Sequence, residues 1–191
     1  SFRKEINIED KFAVCYAGIH GIAQGLEVII KAADILRDEK GIQFVFVGDG
    51  PEKKMLMDMV RKRKLENVLF LPVKPKPKMP RIIASMDATV IPLKKLDLFK
   101  GALPSKMFEA LSSELPIVLA VEGEAEKLIN NAKAGIVVEP ENEKEIAEAV
   151  LRLYKDRELR ETLGANGRKY VMKNYSRETI ARKLEKILME L

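Results

Sequence analysis

Residues 101–120, GALPSKMFEALSSELPIVLA, read as a loop, a short helix and a buried strand in immediate succession. A loop containing Gly101 and Pro104 leads into a helical pattern that Leu115-Pro116 stops, and residues 117–120 form an apolar run of strand length. Lys106 and Glu109 lie three apart and share one face of the helix's first turns, while Met107, Phe108 and Leu111 take the opposite side. A loop, a positive helix start, one cation and one carboxylate suit a ligand that carries phosphates beside a sugar diol. The backbone N–H groups and Lys106 would hold the phosphates, and Glu109 would accept hydrogen bonds from vicinal hydroxyls. The alternative is an exposed ion pair worth only a few tenths of a kcal/mol.

The same alternation extends along the chain in both directions. Apolar runs at 13–17, 44–47, 68–71, 88–91, 117–120 and 136–138 read as strands. Helical spacing follows each of them: Leu26, Ile29, Ile30, Ala33 and Leu36; then Met55, Leu56, Met59 and Val60; then residues 80–86, the helix that opens at Ser105, residues 124–132, and Ile146, Ala147, Val150 and Leu153. The last ~35 residues read as helical, with breaks expected at residues 164–167 and at Tyr175-Ser176, where Ser176 is an N-cap. Strands that are apolar throughout are buried on both faces, which means a parallel sheet between helical layers. Eight repeats would close a barrel, whereas about six fit an open, doubly wound, Rossmann-like α/β sheet in a single unit spanning 1–191. Ligands bind beyond the carboxyl ends of such strands, so the informative loops are 18–25, 48–51, 73–78, 92–104 and 121–124.

Composition narrows the function classes. The chain has 191 residues, 47% of them hydrophobic, and a formal net charge of +5. Residues 51–106 hold 14 Lys/Arg against 5 Asp/Glu, a net of +9, which suggests an anionic ligand or surface. The plainer reading is that these cations solvate exposed helices. Lys/Glu abundance would also suit a heat-adapted protein. One cysteine, Cys15, excludes an internal disulfide and fits a reducing compartment. No apolar run approaches the ~18 residues of a membrane span, and the charged start lacks a signal peptide. The absence of an initiator Met suggests a piece of a longer chain.

The first loop, Gly18-Ile19-His20-Gly21-Ile22-Ala23-Gln24-Gly25, lets backbone approach a ligand and exposes N–H groups, or else makes a simple tight turn. It is neither a dinucleotide fingerprint nor a P-loop. His20, the only histidine, could donate to a phosphate or a sugar hydroxyl, or be an ordinary loop residue; with one cysteine beside it, a metal site is not expected. Asp87 reads as a turn or capping residue and Gly135 as a backbone device. Paired hydrolytic carboxylates, a Ser/His/Asp triad and nucleic-acid-reading motifs are all missing, and no nucleic-acid partner is expected.

Together, YAGIHG and QGLEVIIKAADIL, FVFVGDGPEKKML, MDATVIPL, PSKMFEALSSELPIVLA and AGIVVEPENEKEIAEAV resemble the C-terminal, nucleotide-sugar-binding domain of GT-B-fold glycosyltransferases in the large retaining family 4, over residues 12–191. The closing LGANGRKYVMKNYS resembles that family's last helices, which imply that residues 156–191 pack back or toward a missing N-terminal domain. The resemblance implies that Glu109 is the second glutamate of an E-x7-E motif and binds the donor ribose, with Gly101 standing where the first glutamate would be. It also implies that the helix starts near Gly21 and Ser105 face the pyrophosphate, and the pattern of Gly18, Gly21 and Gln24 resembles that of one subgroup of the family. The usual Arg and Lys of that loop are replaced around Ile19 and Gln24, which throws weight onto Lys106. Pro104-Ser105-Lys106 with Glu109 matches a subgroup that includes transferases for bacterial and archaeal surface polysaccharides.

The implied function is transfer of a hexosyl or N-acetylhexosaminyl group from a nucleoside-diphosphate sugar, UDP-linked, to a glycan or lipid-linked acceptor with retention. The implied donor site needs neither metal nor cofactor, and the base-reading loop lies around Val73-Lys74. The isolated domain is expected to be inactive without its acceptor half, and a cytoplasmic place, peripheral on the inner membrane face, follows. A nucleotide-sugar 2-epimerase of the same fold and a non-enzymatic anion-binding module remain the alternatives.

Overall fold

The structure, a computed structural model, describes residues 2–190, so the two ends of the expected 1–191 unit lie outside the described residues. Six parallel strands form one sheet: β1 (Phe12–Ala17), β2 (Ile42–Val47), β3 (Val68–Leu71), β4 (Ala88–Pro92), β5 (Ile117–Ala120) and β6 (Gly135–Val137). Their order is β3-β2-β1-β4-β5-β6. The chain enters at the centre, winds out through β2 and β3, then crosses back to β4 and winds the other way. Such an order leaves a crevice between β1 and β4, where connections depart to opposite sides. The open Rossmann-like α/β sheet expected from the sequence is therefore present.

Burial along each strand explains why no polar alternation marks it. Val14 and Tyr16, Phe44 and Phe46, and Val118 and Ala120 face one layer, built from α2 (Glu27–Ile35), α3 (Lys53–Arg63) and α7 (Glu143–Lys155). Ala13 and Cys15, Val45 and Val47, and Ile117 and Leu119 face the other. That second layer holds α4 (Met79–Ile83), α5 (Ser105–Ser112), α6 (Glu124–Ala132) and α8 (Arg157–Tyr175). Cys15 is buried and its thiol is pushed up to about 12, chiefly by loss of solvent, so it is an inert core residue.

One element is new and two local expectations change. The chain opens with a one-turn helix α1 (Phe2–Glu5), too short to show periodicity, which buries Phe2 and ion-pairs Arg3 with Asp87. Asp87 also accepts from the Ala13 amide at 2.7 Å, which ties the start of β1 to the start of β4. The glycine loop does not run straight into a helix: a 3-10 turn (Ile22–Gln24) intervenes, and α2 begins only at Glu27. Most clearly, α8 passes unbroken through residues 164–167. Its glycines serve contact rather than interruption. A Cβ on Gly164 would collide with the Glu114 carbonyl, and one on Gly167 would come 2.8 Å from Leu111 Cδ2 and 3.1 Å from Ala134 Cβ. The helix lies so close to α5 that no side chain fits between them. The expected stop at Tyr175 holds, and Ser176 caps α9 (Arg177–Met189) by accepting from the Thr179 amide at 3.2 Å.

Candidate functional site

Beyond the carboxyl ends of β1 and β4 lies a cleft of about 460 Å3. Its floor is Ala17, Gly18 and Ile19; its far wall is Pro92, Leu93, Phe99, Ala102 and Leu103; Gln24, Ser105, Lys106 and Glu109 supply its polar side chains. A second cleft of about 380 Å3 opens toward β3, lined by Val47, Gly48, Asp49, Val73, Lys74, Lys76 and Met79. The two share Ala17, Gly18, Ile19 and Glu109. An elongated ligand crossing from one to the other would therefore pass over the glycine turn and beside the Glu109 carboxylate.

Backbone geometry makes the turn possible. Gly18 has φ 147° and Gly48 φ 141°, where a side chain is strained, and a Cβ on Gly48 would overlap the Gly18 carbonyl oxygen. The His20 amide donates to the Asp49 carbonyl at 2.8 Å, and the Glu52 amide to the His20 carbonyl at 2.9 Å, so the loops after β1 and β2 are locked together. Lys53 adds a clasp by donating from Nζ to the carbonyls of Gly48 at 2.7 Å and Leu71 at 3.2 Å. On the other side, the Lys94 amide donates to the Ala23 carbonyl at 3.0 Å, and the Lys95 amide to Glu141 at 3.0 Å. The exposed pairs Lys95–Glu139 and Lys100–Asp97, both 2.7 Å, are screened by solvent, so the backbone bonds do most of the holding.

Lys106 sits half-buried on the first turn of α5. Among the described residues it forms no ion pair, with Glu109 or any other carboxylate. Its Nζ donates to Tyr16 Oη at 2.9 Å and stands 4.4 Å from the centre of that ring. Loss of solvent lowers its pKa to about 8, partly opposed by the Glu109 charge. The ammonium is thus mainly protonated at neutral pH and has no anionic partner of its own. Ser105 and Glu109 are exposed at the cleft, Gln24 is half-buried in its wall, and Lys74 is half-buried in the second cleft. Gly21 caps the 3-10 turn, where a Cβ would come 2.7 Å from Gln24 Oε1. Gly101 closes a 3-10 turn (Asp97–Gly101), with open space where a side chain would point.

His20 stands apart from the other candidates. Its ring is fully buried and lines neither cleft; it packs among Tyr16, Phe46 and Phe70 with ring centres 5.9–6.0 Å away. The hydrogen bond to a ligand expected from the sequence is therefore not made by this side chain as it lies. Both ring nitrogens are buried without a partner, and desolvation first, then the Lys53 charge, lowers its pKa to about 4. In the site His20 contributes its backbone. Tyr16 is the residue that sequence reasoning passed over: one phenol near the end of an otherwise apolar strand, two positions before Gly18, was the available signal. The apolar wall around Phe99 and Leu103 was equally silent, because nothing local distinguishes it from loop filler.

Among the described residues no group of three or more His, Cys, Asp or Glu side chains is placed to hold a metal ion, and no helix is long and apolar enough to cross a membrane.

Comparison with known proteins agrees with this fold. The chain is 29% identical over 191 residues to the alpha-D-kanosaminyltransferase of Streptomyces kanamyceticus, covering 99% of this chain and 48% of that protein. The crystal structure of Anabaena Alr3699/HepE in complex with UDP and glucose superposes with a TM-score of 0.85 at 20% identity, over 100% of this chain and 51% of that one. The C-terminal domain of LpcC, a group 1 family protein of Francisella tularensis, does so with a TM-score of 0.76 at 23% identity, covering 91% of each chain. At these identities the two structures share the fold. The chain spans about half the length of the full-length relatives it matches. The profile of the glycosyl transferases group 1 matches residues 1–170, and the chain belongs to that family.

Proposed function

We propose that this chain is the donor-binding half of a retaining glycosyltransferase, with a UDP-linked sugar as donor and a glycan or lipid-linked acceptor. The observation that carries the reading is the meeting of two clefts at the Gly18 turn and Glu109, with an unpaired ammonium, Lys106, at the junction. The nucleoside would lie in the cleft bounded by Val73 and Lys74, its ribose diol against Glu109. The diphosphate would lie over Gly18 and the start of α5 at Ser105, and the sugar in the apolar cleft beneath Phe99 and Leu103. UDP is favoured because the structurally similar Anabaena protein holds UDP. Departure of the nucleotide concentrates negative charge on the diphosphate, and Lys106 with the backbone N–H groups stabilises it where it develops.

Retention rests on the resemblance to family 4, and the subgroup assignment on the Pro104-Ser105-Lys106 and Glu109 pattern. The acceptor would be held by an N-terminal half of the same protein, so this half alone would transfer little. α9 has no buried residue and leaves Ile180, Leu184 and Ile187 exposed, a face suited to that partner half. A cytoplasmic site of action, peripheral to the membrane that carries a lipid-linked acceptor, fits this scheme. Among the described residues Glu109 is the single acidic side chain lining the first cleft, which gives a 2-epimerase little to work with. A general anion-binding role finds no better support, since Lys53, Arg61, Arg63, Lys95 and Lys100 are already committed to carbonyls or carboxylates.

Titration calorimetry with UDP at pH 7 tests the reading. Lys106→Ala and Glu109→Ala should each weaken binding by about 1.5–3 kcal/mol, the range for hydrogen bonds to charged groups. Equal affinity for UDP in both variants and the unaltered protein would refute it.

A further inference from the structure

We propose that Tyr16 is a positioning residue for the diphosphate seat: its hydroxyl fixes the Lys106 ammonium and joins it to the backbone of the Gly18–Ile19 turn. The inference rests on the donor reading above and concerns how that site is held ready. A phenol has one proton. Tyr16 Oη lies 2.7 Å from the Ile19 carbonyl oxygen, which can only accept, so the proton points there. The hydroxyl's remaining lone pairs are then left to accept, and Lys106 Nζ meets them at 2.9 Å. One of the ammonium's three N–H bonds is spent on Tyr16, and two remain for a ligand.

The ring itself cannot drift. Tyr16 is 1% exposed and packs against Phe46 and His20 at ring centres of 6.2 and 5.9 Å. Lys106 reaches it from α5, on the other side of the crevice, so the phenol bridges two elements that the sheet connects only through β4. A lysine on a flexible four-carbon stem would otherwise have to be ordered when the ligand arrives, and holding it beforehand removes that cost from binding. The cation also lies against the turn, since a Cβ on Gly18 would come 3.3 Å from Nζ. A role in packing alone would need only the ring, which phenylalanine supplies.

A double-mutant cycle with UDP decides the matter. Tyr16→Phe should weaken UDP by about two- to tenfold and Lys106→Ala by about ten- to a hundredfold, while the double variant matches Lys106→Ala within about twofold. Additive losses would overturn the proposal, because Tyr16 would then act independently of the ammonium. Undiminished affinity in Tyr16→Phe alongside a loss in Lys106→Ala would overturn it and leave the donor reading standing. Undiminished affinity in Lys106→Ala would overturn it as well, and only if Glu109→Ala also kept full affinity would the donor reading fall with it. A second measurement does not depend on Tyr16→Phe folding: the 13Cζ resonance of Tyr16 should shift as the Lys106 ammonium, followed by its own 15Nζ resonance, loses its proton, and that shift should vanish in Lys106→Ala. A Tyr16 resonance that stays flat while Lys106 titrates would overturn the proposal on its own.

Discussion

His20→Phe should flatten the acid limb of the protein's stability. The imidazole is enclosed by Tyr16, Phe46 and Phe70 with both nitrogens unpartnered, and its pKa falls from 6.5 to about 4. A depressed histidine value means that the unfolded chain binds more protons than the folded one between pH 4 and 6.5, so stability drops as the solution is acidified through that window. Working the linkage between pH 7.5 and 4.5 gives a loss of about 2.5 kcal/mol from this residue alone, or roughly 5–10 °C in Tm for a chain this long. The neighbouring charges agree in sign: Lys53 and Lys106 oppose protonation and only Asp49 favours it. Phenylalanine cannot titrate, and its slightly larger ring adds a packing cost that is the same at both pH values. That cost cancels when the variant's stability difference from the unaltered protein is compared at pH 7.5 and 4.5 by urea denaturation. The variant should gain about 2.5 kcal/mol relative to the unaltered protein on going to pH 4.5. A difference that stays constant within about 0.5 kcal/mol would mean that the buried imidazole is not the titrating group, and the reasoning would fail.

Other expectations follow from the same geometry. UDP affinity should fall above pH 8, by up to about tenfold per pH unit, because the free Lys106 loses its proton near there while a bound diphosphate would restore it; calorimetry from pH 7 to 9.5 would see a flat profile if Lys106 does not contact the phosphates. Gly164→Ala should destabilise by about 2 kcal/mol despite alanine's helix preference of roughly 1, since the added carbon meets the backbone of Glu114 rather than a side chain that can yield. Gly101→Glu should leave stability within about 0.5 kcal/mol, because its side chain enters open space; a large loss in a urea titration would contradict that placement.

Residues 101–120 were legible because loop, helix and strand each carried their own local signal, and Lys106 and Glu109 emerged on the cleft face that the spacing required. Strand order followed less directly: apolar strands indicate a parallel sheet, but only the crossovers decide that β1 and β4 are neighbours. Gly164 and Gly167 misled because a glycine that breaks a helix and one that admits a neighbouring helix look identical in one dimension. His20 misled for a related reason. A polar residue in a glycine-rich loop reads as exposed, whereas the loop here folds its ring inward and leaves only its amide and carbonyl for local use. Tyr16 was unreadable as a partner of Lys106, since the two lie 90 positions apart and meet only across the top of the sheet.

The interlock of Gly18 with Gly48 has a consequence for how such a domain can be retuned. Neither glycine can gain a carbon without trespassing on the adjacent turn or on the lysine beside it, so the two hairpin-like bends behave as one stiff block. On the proposed donor reading, changes of nucleotide preference would fall to residues such as Val73, Lys76 and Met79, which line the second cleft beyond the joint. Any embrace of the donor would have to be supplied by swinging the block bodily against another surface rather than by flexing within it.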